Sequence, residues 1–457
     1  MASSMIDSSL YHDSYGTAEM REIFDDRTIM QNWFDIESAL AQTQAKYSII
    51  PQEAADEITR KGRAENMDVA AIESEINRVG HSLVPVLRYF ETLCDNNYGE
   101  YIHLGATTQD IIDTGFMLSI KRGYKAIYRD AREAEESLLK LIDEHSETVM
   151  AGRSHTQQAL PITFGYKVAV WASELRRDID RMQECWKRCF VGELSGAVGT
   201  MAGFGEHGVE ISEEAIRMVG LQVPDIAWHV SRDRLAEICT TLSILCCTFG
   251  RIGKEIASLQ TTENGELTEG FRHGLVGSST MPHKRNPNLA EALQCLARSV
   301  KASMGLSMES MFCEHERDGA FWKIEWKSVN EVVIMSGACA DKAKKLLAGL
   351  QVHPDIMKEN LYKLKGLMMS ENVMLEMGKH IGKQSAHALI YEICMDTFEK
   401  HADFMDMLMA NKMVCKYFTR EELQAIMDPT KYTGHSAFLA RRVAENIRAA
   451  RVNDHLD

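Results

Sequence analysis

Proline, long uncharged runs and strand-like alternation are all scarce in this sequence. Only 8 of the 457 residues are proline, so long intervals contain no residue that must break a helix. No window of eighteen residues is free of charged side chains, and the N-terminus lacks a basic region followed by an apolar stretch. We therefore expect a soluble globular protein with no membrane span and no export signal, in which long helical rods can form.

Patterns typical of metal sites and of nucleic-acid binding are missing as well. The 11 cysteines include no Cys-x-x-Cys pair, and no His-Glu-x-x-His occurs, so we expect no metal and no cofactor. The odd cysteine count favours reduced thiols and a cytoplasmic location. Lys and Arg total 51 against 66 Asp and Glu, which gives a net charge of -15. The one short basic cluster, Lys342 to Lys345, lies in a helical pattern, so we expect no nucleic-acid partner.

Apolar residues instead recur at helical spacing over long segments. Between Arg234 and Gln260 the apolar positions alternate steps of three and four, which predicts a long helix of a bundle. Residues 168–189 follow nearly the same rule, and a third rod begins after Pro287. Such rods expose more apolar surface than one short chain easily covers, so we expect them to associate in an oligomer.

These patterns predict an all-α fold of three mostly helical domains. We expect an N-terminal helical domain over residues 1–105, a central bundle of long helices over 106–352, and a C-terminal helical domain over 353–457. Pro354 is expected to stop the third long helical region. Turn-rich segments interrupt the rods, and the one at 264–287 is the predicted catalytic loop.

That loop contains the most unusual stretch of the chain, Gly277-Ser278-Ser279-Thr280-Met281-Pro282-His283-Lys284-Arg285-Asn286-Pro287. Two serines follow a glycine and precede a run of cations, an arrangement whose electrostatic field favours an alkoxide. With that stabilisation, Ser278 is a candidate general base. The alternative is a capping loop whose serines satisfy a helix N-terminus, and spacing alone does not decide between the two.

The same stretch resembles a known motif, the Gly-Ser-Ser-x-Met-Pro-x-Lys-x-Asn loop of the fumarase/aspartase superfamily. Residues 277–286 match every specified position of that motif. Three more segments are similar to the superfamily's other motifs, namely 103–110, 152–158 and 195–200. The resemblance implies a mostly helical homotetramer with a central bundle of long helices and with active sites built from three subunits.

The resemblance also implies roles for individual residues. Ser278 would be the base that takes a proton next to a carboxylate, and His155 would be the acid that protonates the leaving group. Lys284 and Asn286 would stabilise the carbanion intermediate, while Thr107 and Thr108 would hold substrate carboxylate oxygens. The other predicted substrate-binding positions are Ser279, Met281, Gln157 and His103, and His81 is a further candidate for binding a carboxylate on chemical grounds. For His103, burial in a purely structural role is the alternative.

Two arginines are candidates on chemical grounds. Arg232 and Arg234 stand in Trp228-His-Val-Ser-Arg-Asp-Arg234, and a pair of guanidinium groups can bind carboxylates in a fork. The alternative is a salt-bridge cluster at a helix start. The acidic substrate expected here favours binding.

The branch of the superfamily decides the reaction. Adenylosuccinate lyases usually carry an arginine that holds the nucleotide phosphate near the N-terminus, whereas this chain has Asp13-Ser-Tyr there. The later segment with Arg317, Trp322, Glu325 and Trp326 resembles the 3-carboxy-cis,cis-muconate cycloisomerase branch. That branch often replaces the acid by tryptophan, but this chain keeps His155, which fits an elimination better.

We therefore predict an anti β-elimination that splits a succinyl conjugate at a carbon–nitrogen or carbon–sulfur bond and releases fumarate. The expected partners are a small dicarboxylate substrate and further copies of the chain. Three alternatives stay open at this stage: a lactonising cycloisomerase, adenylosuccinate lyase of purine synthesis, and a catalytically silent structural relative. The residue types also leave the pocket roles of Trp322 and Trp326 open, because tryptophans four residues apart on a helix often pack in the core.

Overall fold

The computed structural model describes residues 4–271, 274 and 278–456, and helices dominate these residues. In the N-terminal region the helices are α1 (His12–Tyr15), α2 (Ala18–Ile23), α3 (Asp26–Lys46), α4 (Gln52–Lys61), α5 (Val69–Val79) and α6 (Leu83–Leu93). The long helices follow as α7 (Thr108–His145), α8 (Phe164–Cys189), α10 (Asp233–Leu259), α11 (Asn288–Glu309) and α12 (Gly319–Ala348), with the short α9 (Gly208–Met218) between α8 and α10.

Shorter elements complete the chain. The C-terminal helices are α13 (Pro354–Asn360), α14 (Ser370–Ile381), α15 (Lys383–Glu399), α16 (Phe404–Ala410), α17 (Lys412–Cys415), α18 (Arg420–Ile426) and α19 (Ser436–Ala450). The strands β1 (Val149–Ser154) and β2 (Gln157–Thr163) form an antiparallel hairpin, and β3 (Leu267–Thr268) pairs antiparallel with β4 (Gln351–Val352). Single 3-10 turns lie at Ala64–Asn66, Tyr98–Tyr101, Ala202–Phe204, Ser310–Phe312, Leu367–Met369, Pro429–Lys431 and Arg451–Asn453.

The five long helices pack against one another around the largest apolar core. Every apolar position that predicts the helix α10 is buried, with at most 1% of its surface exposed: Leu235, Ile238, Leu242, Leu245, Phe249, Ile252, Ile256 and Leu259. The predicted rods over 168–189 and after Pro287 correspond to α8 and α11. The all-α fold with a central bundle of long helices is confirmed.

Helix α10 is also long and apolar enough to cross a membrane, judged by length and composition alone. Within the bundle, however, 67% of its most apolar window is buried against other parts of the protein. A helix that is apolar on most of its surface and buried in this way is a core helix of the bundle.

One predicted boundary is wrong in detail. Helix α12 ends at Ala348 with Gly349 as its C-cap, and Pro354 does not stop that helix but begins α13. Proline is well suited to a first helical position because its missing N–H has no partner there. The division into three domains at residues 105 and 352 stays a prediction, although separate apolar clusters lie within residues 30–90 and 373–423.

The length of α7 sets the geometry of everything that follows. This helix has 38 residues and therefore spans about 57 Å at 1.5 Å per residue. Thr107 is its N-cap, and the β1–β2 hairpin begins a few residues after its C-terminal end. We call the two ends of the bundle the Thr107 end and the His155 end.

Candidate active site

At the Thr107 end, one buried carboxylate joins two of the motif segments. Asp110, which is fully buried, accepts hydrogen bonds from the backbone amides of Thr107 at 2.9 Å, Ser195 at 3.1 Å and Gly196 at 2.9 Å. The contact with Thr107 is one half of a capping box that starts α7. The segments 103–110 and 195–200, which are far apart in sequence, are thus held side by side at the start of the longest helix.

Behind this carboxylate lies a second layer of titratable groups. His229 Nε2 lies 2.8 Å from Asp110 Oδ1, and the Ser195 hydroxyl donates to Glu193 Oε1 at 2.5 Å. Burial raises the pKa of Glu193 to about 7. Burial alone would lower the pKa of His229, but the hydrogen bond with Asp110 and the charge of Glu193 raise it instead. These groups form a hydrogen-bonded support under the backbone of the motif segments.

Within the described residues, two groups of side chains have the spacing of metal ligands. Asp110, Glu193 and His229 form one group, and Cys185, Cys189 and Glu237 form the other. Protein donors already occupy the oxygens of Asp110, and the Cys189 thiol donates to Glu237, which also pairs with an arginine. The expectation of no metal stays a prediction.

His103 is held in an unusual conformation at the same end. Its φ is 65°, in the left-handed region, and Glu37 Oε1 lies 2.7 Å from its Nδ1 while Glu37 Oε2 accepts its backbone N–H at 2.9 Å. Gly105, with φ 78°, approaches Gly203 so closely that a Cβ would lie 2.5 Å from the Gly203 carbonyl oxygen. His81 Nδ1 accepts the backbone N–H of Val84 at 3.3 Å at the start of α6. Burial, followed by the charge of His103, lowers the pKa of His81.

Arg317 is a further candidate that the sequence prediction of site residues did not include. Its guanidinium donates to the Thr107 hydroxyl at 2.8 Å and to the Ala197 carbonyl at 3.0 Å, and the residue is exposed. It therefore places a cation beside the hydroxyl predicted to hold a substrate carboxylate. In the sequence this segment indicates only the branch of the superfamily, because nothing local reveals a contact across 210 residues.

Arg232 and Arg234 do not form the predicted carboxylate fork. Arg232 is 1% exposed, and its guanidinium is bound on both sides by the carboxylates of Asp113 and Glu325. Arg234 instead donates from Nε to the Arg188 carbonyl at 3.3 Å. The substrate-binding prediction disagrees with this arrangement, because a guanidinium sealed between two protein carboxylates has no edge left for a ligand. Of the two interpretations, the salt-bridge cluster describes Arg232.

The two tryptophans after this cluster differ in exposure. Trp322 donates from Nε1 to Asp113 at 2.7 Å, so its ring is fixed to the buried ion pairs. Trp326 is 37% exposed and meets Trp322 edge to face, with ring centroids 4.9 Å apart. Trp322 is therefore half-buried with its polar edge paired, whereas Trp326 is exposed.

At the His155 end, the predicted acid lies at the tip of the β1–β2 hairpin. His155 and Thr156 form its two-residue turn with φ of 49° and 65°, the signs of a type I′ turn. Asn-Gly usually occupies such a turn, so a histidine and a β-branched residue there mark a strained position, and strain is common at functional sites. Both residues are exposed, as is Gln157, the first residue of β2.

The base of this hairpin is fixed to the segment that enters the catalytic loop. Arg153 binds the buried carboxylate of Glu266 with two hydrogen bonds of 2.9 and 2.7 Å. The Asn360 side chain donates to the same carboxylate at 2.7 Å. The tip of the hairpin with His155 is therefore exposed, while its base is fixed by the ion pair between Arg153 and Glu266.

Ser278 lies in the loop with its hydroxyl oxygen facing backbone donors. Ser278 Oγ accepts from the amide of Met281 at 3.1 Å and, more weakly, from that of Thr280 at 3.4 Å. Such N–H dipoles favour negative charge on the oxygen, as required of an alkoxide base. Ser278 is half-buried. Gly277, the first residue of the motif, lies outside the described residues, as do 272, 273, 275 and 276 of the predicted loop.

The remaining loop candidates are presented outward. Ser279, Met281 and Lys284 are exposed, and Asn286 is half-buried. The loop's return to α11 is anchored by Glu269, whose carboxylate accepts from the amides of Leu289 at 3.1 Å and Ala290 at 2.7 Å. The end of the loop is thus fixed by Glu269, while the side chains of Ser279, Met281 and Lys284 are exposed to solvent.

The candidates therefore fall into two groups at opposite ends of the bundle. Thr107, Thr108 and His103 lie at one end, whereas His155 follows the other end of α7, about 57 Å away. The loop with Ser278 belongs to the His155 end, because Glu266 at its start binds Arg153. One copy of the chain does not bring these residues into a single site.

Comparisons with known proteins agree with the motifs. The sequence profile of a family described as "Lyase" matches residues 14–302, and one described as "Adenylosuccinate lyase C-terminus" matches residues 366–443. N-acetyl-S-(2-succino)cysteine lyase of Enterococcus italicus is 40% identical over 95% of both chains, and that of Dickeya dadantii is 38% identical over 98% of both. The crystal structure of a fumarate lyase from a Mesorhizobium species has a TM-score of 0.88 at 33% identity, covering 94% of this chain and 98% of its own.

Proposed function

The chain belongs to the lyase family of the fumarase/aspartase superfamily and is a fumarate-releasing lyase of succinyl conjugates, and we propose that it cleaves the carbon–sulfur bond between a thiol and succinate. The observation that carries this proposal is the likeness, at 40% and 38% identity over nearly the whole chain, to two enzymes named for a thioether of succinate. The substrate class is then an S-(2-succino) conjugate of a small thiol, and N-acetylcysteine is the first thiol to test.

The reaction is an elimination across the succinyl carbon–carbon bond. Ser278 Oγ, as the alkoxide, takes the proton from the CH₂ carbon next to the distal carboxylate, and the electron pair is first held by that carboxylate as a carbanion intermediate. The pair then forms the double bond of fumarate. The carbon–sulfur bond breaks, its electrons go to sulfur, and His155 supplies the proton that makes the free thiol. Lys284 and Asn286 stabilise the extra negative charge on the carboxylate of the intermediate, where an unassisted carbanion would be too high in energy.

The environment of Ser278 supports its role as the base. Its oxygen faces the amides of Met281 and Thr280, so part of the stabilisation that an alkoxide needs is built into the loop. Lys284 follows only six residues later. We propose that Ser279, Met281 and Gln157, all exposed on the same two elements, complete the contacts to the substrate.

At the Thr107 end, we propose that the Thr107 and Thr108 hydroxyls and the start of α7 bind a substrate carboxylate. A helix N-terminus favours an anion, and Arg317 adds a cation that donates to the Thr107 hydroxyl. We propose that His103, four residues before Thr107, and His81, whose Nδ1 accepts the Val84 amide at 3.3 Å, also contact the substrate. The arginine and the helix start are the donors that match a carboxylate here.

The N-terminal segment gives no support to a nucleotide leaving group. Where adenylosuccinate lyases usually carry an arginine, Asp13 binds Arg21 at 2.8 Å, so the nearby guanidinium is already paired with a carboxylate. The hydrogen bond to Arg21 lowers the pKa of Asp13, so this carboxylate is charged at neutral pH and would repel a phosphate. A small thiol has no phosphate to place here.

The separation of the two ends supports sites that are shared between copies of the chain. We propose a homotetramer in which the Thr107 end of one copy meets the hairpin and the loop of others. The exposed tip of His155 and the exposed face of Lys284 are then completed by a neighbour. The reduced cysteines, all free in the described residues, fit a cytoplasmic location.

Mixing two inactive variants tests the shared site. Thr107→Asp keeps a good N-cap but repels the substrate carboxylate, and Ser278→Ala removes the base. If the two residues come from different copies, unfolding and refolding the variants together restores activity, because some mixed sites contain both native residues. No recovery in mixtures that do form mixed oligomers would place both residues on one chain and contradict the proposal.

The reverse reaction tests the leaving group. The protein is incubated with excess fumarate and a pool of thiols, amino acids and AMP, and mass spectrometry searches for fumarate adducts. We expect a thiol adduct that the Ser278→Ala variant does not form. An adduct with an amine and none with any thiol would replace the carbon–sulfur proposal by a carbon–nitrogen lyase.

A further inference from the structure

Glu37 makes a pair of contacts with His103 that the reaction described above does not use. We propose that Glu37 is a positioning residue, which holds the His103 imidazole in the orientation that binds a succinyl carboxylate. The inference rests on the proposed function for the kind of ligand, a dicarboxylate at the Thr107 end. It adds a residue from α3, which carries none of the motifs.

The geometry is a clamp on both the backbone and the ring of one residue. Glu37 Oε2 accepts the His103 backbone N–H at 2.9 Å, and Glu37 Oε1 lies 2.7 Å from ring Nδ1. The Glu37 side chain is fully buried, whereas 20% of the His103 side chain is exposed. Because Nδ1 is occupied by Glu37, Nε2 is the ring nitrogen that remains for a ligand.

The backbone around His103 is constrained on every side. A non-glycine residue in the left-handed region persists only where its surroundings over-determine it, and His103 has φ 65°. The Gln44 side chain donates to the Leu104 carbonyl at 2.8 Å, and Gly105 packs against Gly203. A carboxylate that served only this turn would need the backbone contact alone. The additional contact with Nδ1 fixes the ring.

The charges around the ring suit an anionic ligand. Burial acts to lower the pKa of His103, but the charge and hydrogen bond of Glu37 and the charge of Asp110 raise it, so the cationic form is favoured. His81 also interacts electrostatically with His103. Burial, followed by the charge of His103, lowers the pKa of His81. The buried Glu37 carboxylate thus favours the protonated form of the His103 ring, the form that suits a carboxylate ligand.

A double-mutant cycle tests the proposal. Glu37→Gln keeps the volume and one acceptor oxygen, but it cannot accept from both the backbone and Nδ1. We compare the wild type, Glu37→Gln, His103→Gln and the double variant for fumarate affinity by calorimetry and for kcat and KM with the best succinyl conjugate. Glu57→Gln is the matched control, since the buried Glu57 also accepts a backbone N–H, that of Asp95 at 2.9 Å.

We expect Glu37→Gln to weaken fumarate binding and to raise KM by about tenfold, the scale of a lost hydrogen bond to a charged group, with a smaller effect on kcat. In the His103→Gln background the same substitution should leave both values nearly unchanged. The control Glu57→Gln should lower the unfolding temperature without altering KM. Glu37→Asp keeps the negative charge but has a shorter side chain, so its KM should fall between those of the wild type and Glu37→Gln.

Equal losses of affinity from Glu37→Gln in both backgrounds would overturn the proposal, because Glu37 would then act without the His103 ring. A lower unfolding temperature with unchanged fumarate affinity and KM would also overturn it. The fumarate measurement needs no bond cleavage, so it decides the role of Glu37 even if the thioether is not the substrate. Wild-type protein that cleaves a conjugate without measurable contribution from His103 would contradict the proposal as well.

Discussion

The two ends of the helical bundle are built in opposite ways. At the Thr107 end, fully buried carboxylates hold the backbone: Asp110 joins two motif segments, and Glu37 fixes His103. At the His155 end, the anchors are buried, but His155 and Lys284 are exposed. The Thr107 end is thus held together by buried carboxylates, whereas at the His155 end the residues proposed for the chemistry lie on exposed or half-buried segments. Substitutions at the two ends should therefore fail in different ways.

The largest expected effect on activity is that of Ser278→Ala at the His155 end. Removing a general base costs about 10²- to 10⁴-fold in rate. The half-buried hydroxyl accepts hydrogen bonds only from amides of its own loop, so the helical fold does not depend on it. We expect kcat to fall on that scale while the circular dichroism spectrum and the unfolding temperature stay unchanged. Activity within a few-fold of the wild type would show that Ser278 is not the base.

The largest expected effect on stability lies at the other end. Arg232→Met leaves the buried carboxylates of Asp113 and Glu325 without their counter-ion, which costs about 3 to 5 kcal/mol in the free energy of unfolding. Arg234→Ala is the control two residues away, and its cost should stay below about 0.5 kcal/mol because it removes one weak contact. Denaturant unfolding measures both. Equal costs would contradict the assignment of Arg232 to a buried ion-pair cluster.

A smaller and substrate-dependent effect is expected for His155→Asn. Because a thiolate leaves more readily than an amine, loss of the acid should slow a carbon–nitrogen substrate more than a carbon–sulfur one. Among thioethers, the loss should shrink as the pKa of the released thiol falls. A series of S-succino conjugates with graded thiols checks this dependence. A constant loss across the series would mean that His155 does not protonate the leaving group.

The smallest effect concerns pH, again at the Thr107 end. Burial raises the pKa of Glu193 to about 7 in the folded protein from its ordinary 4.5, so the folded state holds this proton more tightly than the unfolded chain. The free energy of unfolding should therefore fall as the pH rises from about 4.5 through about 7, by no more than about 3 kcal/mol from this group. The raised pKa of His229 acts in the same direction.

Glu193→Gln tests that dependence, since it keeps the shape but cannot titrate. Unfolding experiments at about pH 5 and about pH 8 should show a smaller difference for the variant than for the wild type. The Ser278→Ala protein serves as the comparison from the other end, because no titratable group is altered there. An unchanged pH dependence in Glu193→Gln would exclude Glu193 as its source.

The sequence predicted what depends on local spacing and on the motifs. The eight buried positions of α10 follow from steps of three and four, and the loop with Ser278 was recognised from a run of adjacent residues. The β1–β2 hairpin was not predicted, because His155-Thr156 carries none of the glycine or asparagine signals of a type I′ turn.

Contacts between distant residues could not be predicted. Arg232 was assigned to the substrate because its partners Asp113 and Glu325 lie 119 and 93 residues away and no periodicity connects them. Glu37 is likewise 66 residues from His103. These three carboxylates stand on the helices α7, α12 and α3, and nothing in their local sequence shows which distant residue each one faces. The contacts that these carboxylates make therefore follow from the packing of the helices and not from the local sequence.

The most direct measurement of the central claim is the forward reaction on matched conjugates. The protein is given S-(2-succino)-N-acetylcysteine and the corresponding amine conjugate of succinate, and released fumarate and free thiol are quantified together, with Ser278→Ala as the control. The account predicts that fumarate and thiol appear in equal amounts from the thioether, with a higher kcat/KM than for the amine and no release by the variant. Fumarate from the amine conjugate with none from the thioether would contradict it.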